Sequence, residues 1–459
     1  MSPTSTRTAL ICACLLSVGS HWSVWQLGAL RSTLGSPSEF ASSVTAIEIA
    51  NTLTPLLAGA LVPRFGAGRS AVVATAANAI GQALALVARL HGSLALLLIG
   101  LFISGTSAAP LSVIQESVIV VMAPDGRNWY LALGLLAGKA TAFFASIAAL
   151  PVNDAFGIGA PFLVSVALGI LSLVAALVYL RFDKIAGTSD GVDHTRLIPL
   201  SELVRLGDAV SCYYLVCALS GALWFPTVHL APDVLRTLFE ITPQRAATIA
   251  SVVLVTPLVL YPVLGRLLDK SDGRAVFRLF VATSFATLAT YPLLLLRSFG
   301  PLLSLLPFAL GYGASPLLLV ASVPHIVSAR HVSSVLGMHK AAEMSGAIIY
   351  QTIAGRTTKG ASDRSTVGGV RTVVMTLLAF NVVHIGVLLV YGRLPRQQAA
   401  ASAYDVVPAD ELELELDDVK SPRRTVDVQD GLARRGTATL LLCGALIASA
   451  WVACVVGRL

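Results

Sequence analysis

Charge is scarce in this chain: Asp, Glu, Lys and Arg together make up 12% of 459 residues, against roughly a quarter in an ordinary soluble domain. With 55% of the residues hydrophobic, a water-soluble core could not absorb the apolar surface. Catalytic patterns are missing as well. No Ser-His-Asp spacing, glycine-rich phosphate loop or CxxC pair occurs, so the chain reads as a non-enzyme with no catalytic residue and no cofactor. Cys12, Cys14, Cys212, Cys217, Cys443 and Cys454 fall inside apolar stretches without metal-ligand spacing, and His325, His339 and His384 lie on different stretches; no metal site is expected. A cleavable leader is not expected either. The apolar run after Arg7 continues through Val24 and Trp25 to Leu30 without a small-residue cleavage site, too long for a signal sequence.

What the chain does have is long apolar runs. Thirteen stretches able to cross ~30 Å of hydrocarbon at ~1.5 Å per residue are predicted at 8–30, 42–62, 70–90, 93–115, 130–150, 159–180, 208–229, 246–266, 276–296, 301–322, 337–355, 372–392 and 437–457. In lipid each must be helical to satisfy its own backbone, which makes this an all-α membrane protein. The net charge of +7 is no sign of nucleic acid, because Lys and Arg gather in short connections: Arg64 and Arg69, Arg181 and Lys184, Lys270 and Arg274, Arg393 and Arg396. The positive-inside rule places those connections and the N-terminus in the cytosol. Two longer polar segments, 181–207 and 393–436, are expected to be solvated and irregular; the second holds an acidic run from Asp410 to Asp418 and the basic pairs Arg423-Arg424 and Arg434-Arg435.

An internal repeat organises the runs. Gly59, in Gly59-Ala60-Leu61-Val62-Pro63-Arg64-Phe65-Gly66, and Gly265, in Gly265-Arg266-Leu267-Leu268-Asp269-Lys270-Ser271-Asp272-Gly273-Arg274, are 206 residues apart (265 minus 59). The same offset carries Gly105 onto Gly311 and Pro110-Leu111 onto Pro316-Leu317. Two six-span halves are implied, 1–180 and 208–392, joined by a linker at 181–207, followed by a charged segment at 393–436 and an extra span at 437–459.

The glycine, the apolar gap, and then Asp-Lys and Gly-Arg resemble the cytosolic loop signature of the major facilitator superfamily. That resemblance implies two six-helix halves around a central cavity, alternating access, and Asp269, Lys270 and Arg274, with Arg64 and Arg69 in the first copy, as residues latching one conformational state. The first copy departs by carrying Pro63 where the aspartate belongs. Leu15-Leu16-Ser17-Val18-Gly19-Ser20, Leu131-Ala132-Leu133-Gly134-Leu135 and Leu336-Gly337-Met338-His339-Lys340 resemble fungal members related to the lysosomal dipeptide-transporter branch. This implies a dipeptide or amino acid as the solute, moved by facilitated diffusion. The alternatives are an organic-anion or proton-coupled transporter, or a non-transporting membrane receptor or scaffold.

Ionisable residues inside the runs are the site candidates, because a charge near the bilayer centre is costly. Lys139 lies ~14 Å into the fifth run, where it could hold a substrate carboxylate; Glu48 or Glu116 could hold an amine. Asn51 sits one turn beyond Glu48. Glu116 closes the fourth run, where it reads as a partner for Arg127 or a gate residue. Lys340 and Glu343 are three apart on one helix face and can neutralise one another. Trp22, Trp25 and Gln26 in the first run and Trp224 in the seventh suit an amphiphilic solute. Arg205 and Asp208 read as a structural pair. Beyond a small-molecule substrate and the lipid bilayer, a sorting adaptor or an accessory membrane subunit is the expected partner. Asp193-His194-Thr195-Arg196-Leu197-Ile198 has the form of a dileucine signal, with Asp193, Leu197 and Ile198 as its readable residues; it points to a vacuolar or lysosomal membrane.

Overall fold

A backbone N–H or C=O in hydrocarbon has no water to bond, so each crossing closes its hydrogen bonds within a helix. The computed structural model describes residues 3–31, 33–123, 126–185, 203, 206–360, 367–394 and 422–456, and it is all-helical there. The first crossing is α1 (Pro3–Leu15) with α2 (Val18–Ala29), and the second is α3 (Pro37–Glu48) with α4 (Thr54–Phe65) across a 3-10 turn, Ile49–Thr52. Then come α5 (Ala67–His91), α6 (Leu94–Met122), α7 (Arg127–Phe156) and α8 (Ala160–Ile185). The chain continues with α9 (Asp208–Phe239), the paired α10 (Pro243–Ala250) and α11 (Val252–Asp269), α12 (Gly273–Leu296) and α13 (Gly300–Ala321). It ends with α14 (Val332–Gly360), α15 (Val367–Arg393) and α16 (Pro422–Val456). Among the described residues eleven helices are long and apolar enough to cross a membrane, or twelve with α3–α4 counted as one span bent by 42°. The long α14 is too polar to qualify by composition.

The two interrupted crossings of the first group settle freed backbone groups with side chains. Between α1 and α2 the Ser172 hydroxyl of α8 donates to the Leu15 carbonyl at 2.9 Å and accepts from the Gly19 N–H at 3.2 Å. Between α3 and α4, Pro55 has no N–H to offer the preceding turn. Side chains also bond carbonyls around the break: Asn51 Nδ2 donates to Ile47, Thr52 Oγ1 to Ile49 and Thr54 Oγ1 to Ala50, at 3.4, 2.9 and 2.9 Å.

Helix packing sorts the crossings into two groups. α1 to α8 pack on one another, and α9 to α15 do likewise. The principal contact between the groups runs along two seams, α7 against α11 and α4 against α14, with α14 also reaching α6. The two repeat-related glycines each sit on a seam. A Cβ on Gly59 would come within 2.9 Å of the Ser333 carbonyl, and one on Gly265 within 2.7 Å of the Ala132 Cβ. Only a residue without a side chain lets the helices approach that closely. Both contacts lie toward the end that carries Gly66 and Asp269, whereas α3, the other half of the second crossing, packs on α6 and α2 of its own half. The halves therefore meet firmly at the Asp269 end.

Several elements differ from the sequence expectation. Residues 422–436, read as part of an irregular charged segment, are helical and run into the final span. α6 continues to Met122 instead of stopping near Gln115, so Glu116 is not at a helix end. The proposed sorting residues Asp193, Leu197 and Ile198 lie outside the described residues.

Within the second group, α9 and α14 cross at backbone contact: a Cβ on Gly221 would collide with the Glu343 carbonyl, and one on Gly346 with the Ala218 carbonyl. Gly221→Val is expected to destabilise the protein by about 2 kcal/mol or more through overpacking. Gly386→Ala, at a position facing open space, leaves stability unchanged; thermal unfolding in detergent compares the two.

Candidate functional site

Lys139 on α7 bridges the two groups of helices. Its Nζ donates to the Tyr312 hydroxyl of α13 at 2.6 Å and lies 4.8 Å from the centre of the same ring. Tyr312 stacks on Phe308 with ring centres 5.8 Å apart and meets Trp224 edge-on at 6.1 Å. On the neighbouring face of α7, Gly138 leaves room for the His21 ring, whose Nδ1 is bound to the Ser17 carbonyl at 2.8 Å. Among the described residues no carboxylate pairs with Lys139. A half-buried ammonium held by a phenol and an aromatic face keeps capacity for an anion.

In a second polar group Glu116, Glu343 and His339 are buried and Lys340 is partly exposed. Lys340 Nζ on α14 donates to Glu343 Oε2 at 3.1 Å and lies 3.9 Å from Glu116 Oε1 on α6. His339 Nε2 faces Glu343 Oε2 at 3.6 Å. The Tyr213 hydroxyl of α9 donates its one proton to the Leu319 carbonyl at 3.2 Å and accepts from His339 Nδ1 at 2.9 Å. Glu116 is 1% exposed, and neither of its carboxylate oxygens has a hydrogen-bond donor, so its compensation is the Coulombic attraction of Lys340. Glu116 thus faces Lys340 and not the Arg127 that its sequence position suggested, and it lies inside α6, which continues to Met122. Lys340 and Glu343 do pair, as their spacing implied.

At the loop end, Asp269 acts through the backbone and not through its neighbouring cations. Its carboxylate accepts from the N–H groups of Asn128 and Trp129 at 2.8 and 3.2 Å, at the start of α7, where the partial positive charge of a helix N-terminus favours an anion. Arg266 stacks on the Trp129 ring at 4.4 Å. Asp272 caps α12 through Ala275 N at 2.7 Å. Lys270 and Arg274 are exposed, as are Arg69 and Arg64, the last lying over the Phe65 ring at 5.3 Å.

The remaining candidates separate. Trp22 and Gln26 are buried within the first half, the indole N–H of Trp22 donating to Gln26 Oε1 at 3.0 Å and to the Pro161 carbonyl at 3.2 Å. Asn51 accepts from Ala109 N at 3.1 Å as part of the break in the second crossing. These polar groups serve helix packing. Trp25 is half-buried and faces His229 of the other half at 6.3 Å, and His229 Nδ1 meets Gln351 Nε2 at 3.0 Å. Glu48 ends α3 half-buried, and among the described residues no hydrogen bond or ion pair engages its carboxylate. Asp208 pairs with Arg435 at 3.0 Å; the side chain of Arg205 lies outside the described residues. Sequence reasoning missed Tyr312, a lone tyrosine in an apolar run, and nothing in its spacing marks it.

Two helical halves with a cation held between them are the build of a secondary carrier. Residues 8–404 match the family model of the Major Facilitator Superfamily. The chain belongs to that superfamily: it is a multi-pass membrane transporter of a small solute, and not an enzyme. Among solved structures it resembles the proton:xylose symporter XylE bound to 6-bromo-6-deoxy-D-glucose (TM-score 0.66, 14% identity, 86% of this chain and 97% of that one). It also resembles a bacterial homologue of the iron transporter ferroportin in an outward-facing state (0.62, 14%, 85% and 100%). A third likeness is to the human organic anion transporter MFSD10 (0.62, 14%, 84% and 100%). At these identities the likeness is one of fold. No curated protein matches the chain in sequence.

Replacing Lys340 by Met would leave Glu116 and Glu343 enclosed without a cation, an expected cost of about 3–5 kcal/mol. Adding Glu116→Gln and Glu343→Gln should return most of it. Thermal unfolding in detergent distinguishes this from a surface pair, for which Lys340→Met would be silent.

Proposed function

We propose that the solute is a small organic anion with an apolar or aromatic body, taken up at Lys139. The observation that carries this reading is the Lys139 ammonium itself: it sits between the halves, is bound by the neutral Tyr312 hydroxyl, and has no carboxylate partner among the described residues. An arriving carboxylate exchanges a neutral acceptor for a charged one, and charge-assisted bonds are roughly twice as strong. Trp224, Tyr312 and Phe308 form a buried ring cluster beside the ammonium, the apolar neighbourhood that the body of the solute would meet. A dipeptide or amino acid is the second reading. Its amine needs an acid, and Glu48, with no recorded partner, is the candidate, since Glu116 is committed to Lys340.

On coupling, facilitated diffusion is one reading and proton coupling the other. Proton coupling is supported by the group of Glu116, Glu343, His339 and Lys340, in which two carboxylates and an imidazole surround one ammonium. Such a group can take up or release a proton when the halves part.

Uptake into proteoliposomes tests both. Lys139→Ala is expected to reduce transport of an aromatic carboxylate at least tenfold, with Lys139→Arg partly active; unchanged uptake removes the assignment. If Glu48→Gln selectively abolishes uptake of a zwitterionic dipeptide, the second reading replaces the first. Proton coupling requires substrate-driven pH change in wild type and its loss in Glu116→Gln.

The membrane is proposed to be that of an acidic internal compartment, on the strength of Asp193, Leu197 and Ile198 in the linker. Tagged protein should move to the cell surface when Leu197 and Ile198 are both Ala; wild-type protein already at the surface would count against the signal.

A further inference from the structure

The last helix, α16, follows the two six-crossing halves and is fastened at three levels. Where its apolar span begins, the Arg435 Nη1 lies 3.0 Å from Oδ2 of Asp208, the first residue of α9. Along its length Cys443, Ile447 and Ala450 form a buried stripe at helical spacing, and the helix packs on α14 and α9; Leu441, Leu442 and Val452 on its other side are exposed. Near its end the Trp451 indole Nε1 donates to Thr52 Oγ1 at 2.8 Å. Thr52 belongs to the other half, in the 3-10 turn between α3 and α4. Its hydroxyl is then complete, donating to the Ile49 carbonyl and accepting from Trp451. Arg435 and Trp451 are about 24 Å apart along the helix axis, so α16 lies on one half over most of the membrane depth and bonds to the other through Trp451.

The seam it reaches differs from the other in the residue at the repeat-related position. Where α7 meets α11, Asp269 caps the start of α7 and Arg266 stacks on Trp129. Where α4 meets α14, the position related to Asp269 by the repeat is Pro63. There the Ser334 hydroxyl donates to the Gly59 carbonyl at 3.0 Å, beside the backbone contact of Gly59 with Gly337. We propose that α16 is the latch of this second seam, with Trp451 as the positioning residue that ties the broken second crossing to the opposite half and favours the state closed at the Asp269 end. To open that end, α4 has to leave α14 and the turn that holds Thr52 shifts relative to α16. An N–H···O bond is lost once the pair separates beyond about 3.5 Å, so the indole bond belongs to the closed state.

The test uses the full chain in lipid nanodiscs, wild type and Asp269→Asn, with spin labels on ketone-bearing residues introduced at the exposed Arg181 and Arg393 near the Asp269 end. Inter-label distances report the ratio of closed to open molecules. Trp451→Phe and Thr52→Val should each lower that ratio about fivefold, the worth of one typical hydrogen bond. The double variant should lower it no further, and Thr52→Ser should keep the wild-type ratio. An unchanged ratio in Trp451→Phe and Thr52→Val in both backgrounds overturns the proposal. So does a fall in thermal stability with the ratio intact, which would make α16 ordinary packing.

Discussion

A charge placed in hydrocarbon has to bring its counter-charge with it, and this protein meets the requirement across the boundary between its halves. Glu116 comes from α6, Lys340 and Glu343 from α14, and the phenol that orders His339 from α9. The second half holds the Lys340–Glu343 pair by itself, whereas Glu116 of the first half finds its cation only in Lys340 across the boundary. Taking the halves apart at that depth strands a carboxylate on one side and alters the balance on the other. The seam is therefore electrostatic at its centre and steric at its Asp269 end, where glycines replace side chains. Any alternating motion has to exchange one arrangement of these charges for another.

Much of this arrangement is visible in the sequence, for identifiable reasons. The repeat offset picks out Gly59 and Gly265 because each half needs a close helix approach at the same place. Asp269 stands out because an anion at a helix junction has few other uses. The pairing of Lys340 with Glu343 follows from helical periodicity alone. What the sequence hides depends on the other half. Glu116 looks like the end of a helix until Lys340 arrives from more than two hundred residues away. Tyr312 looks like one more apolar residue until Lys139 meets it. Trp22 and Gln26 share a face with good binding chemistry, but their hydrogen bonds turn inward to one another and to Pro161, which no periodicity reveals.

The two seams resemble each other in backbone and differ in chemistry. Each has a repeat-related glycine in close contact with the facing helix. One adds a carboxylate on a helix N-terminus and an arginine on an indole; the other has a proline, a serine hydroxyl and a broken helix.

The polarity of α14 has a bearing on how the protein is made. Charged residues near a helix centre each cost on the order of 3 kcal/mol when a segment enters the bilayer alone, and α14 carries Lys340 and Glu343 there, with His339 beside them. Emerging from the ribosome as an isolated segment, α14 is poorly suited to partition into lipid unaided. Its partners α6, α9 and α4 are synthesised earlier and can be waiting in the membrane, so insertion of α14 is coupled to tertiary assembly. The segments translated after it, α15 and α16, then close over a helix already docked. Lesions in α6 or α9 would then surface as failed integration of a helix that begins 93 residues or more after they end (332 minus 239 for α9).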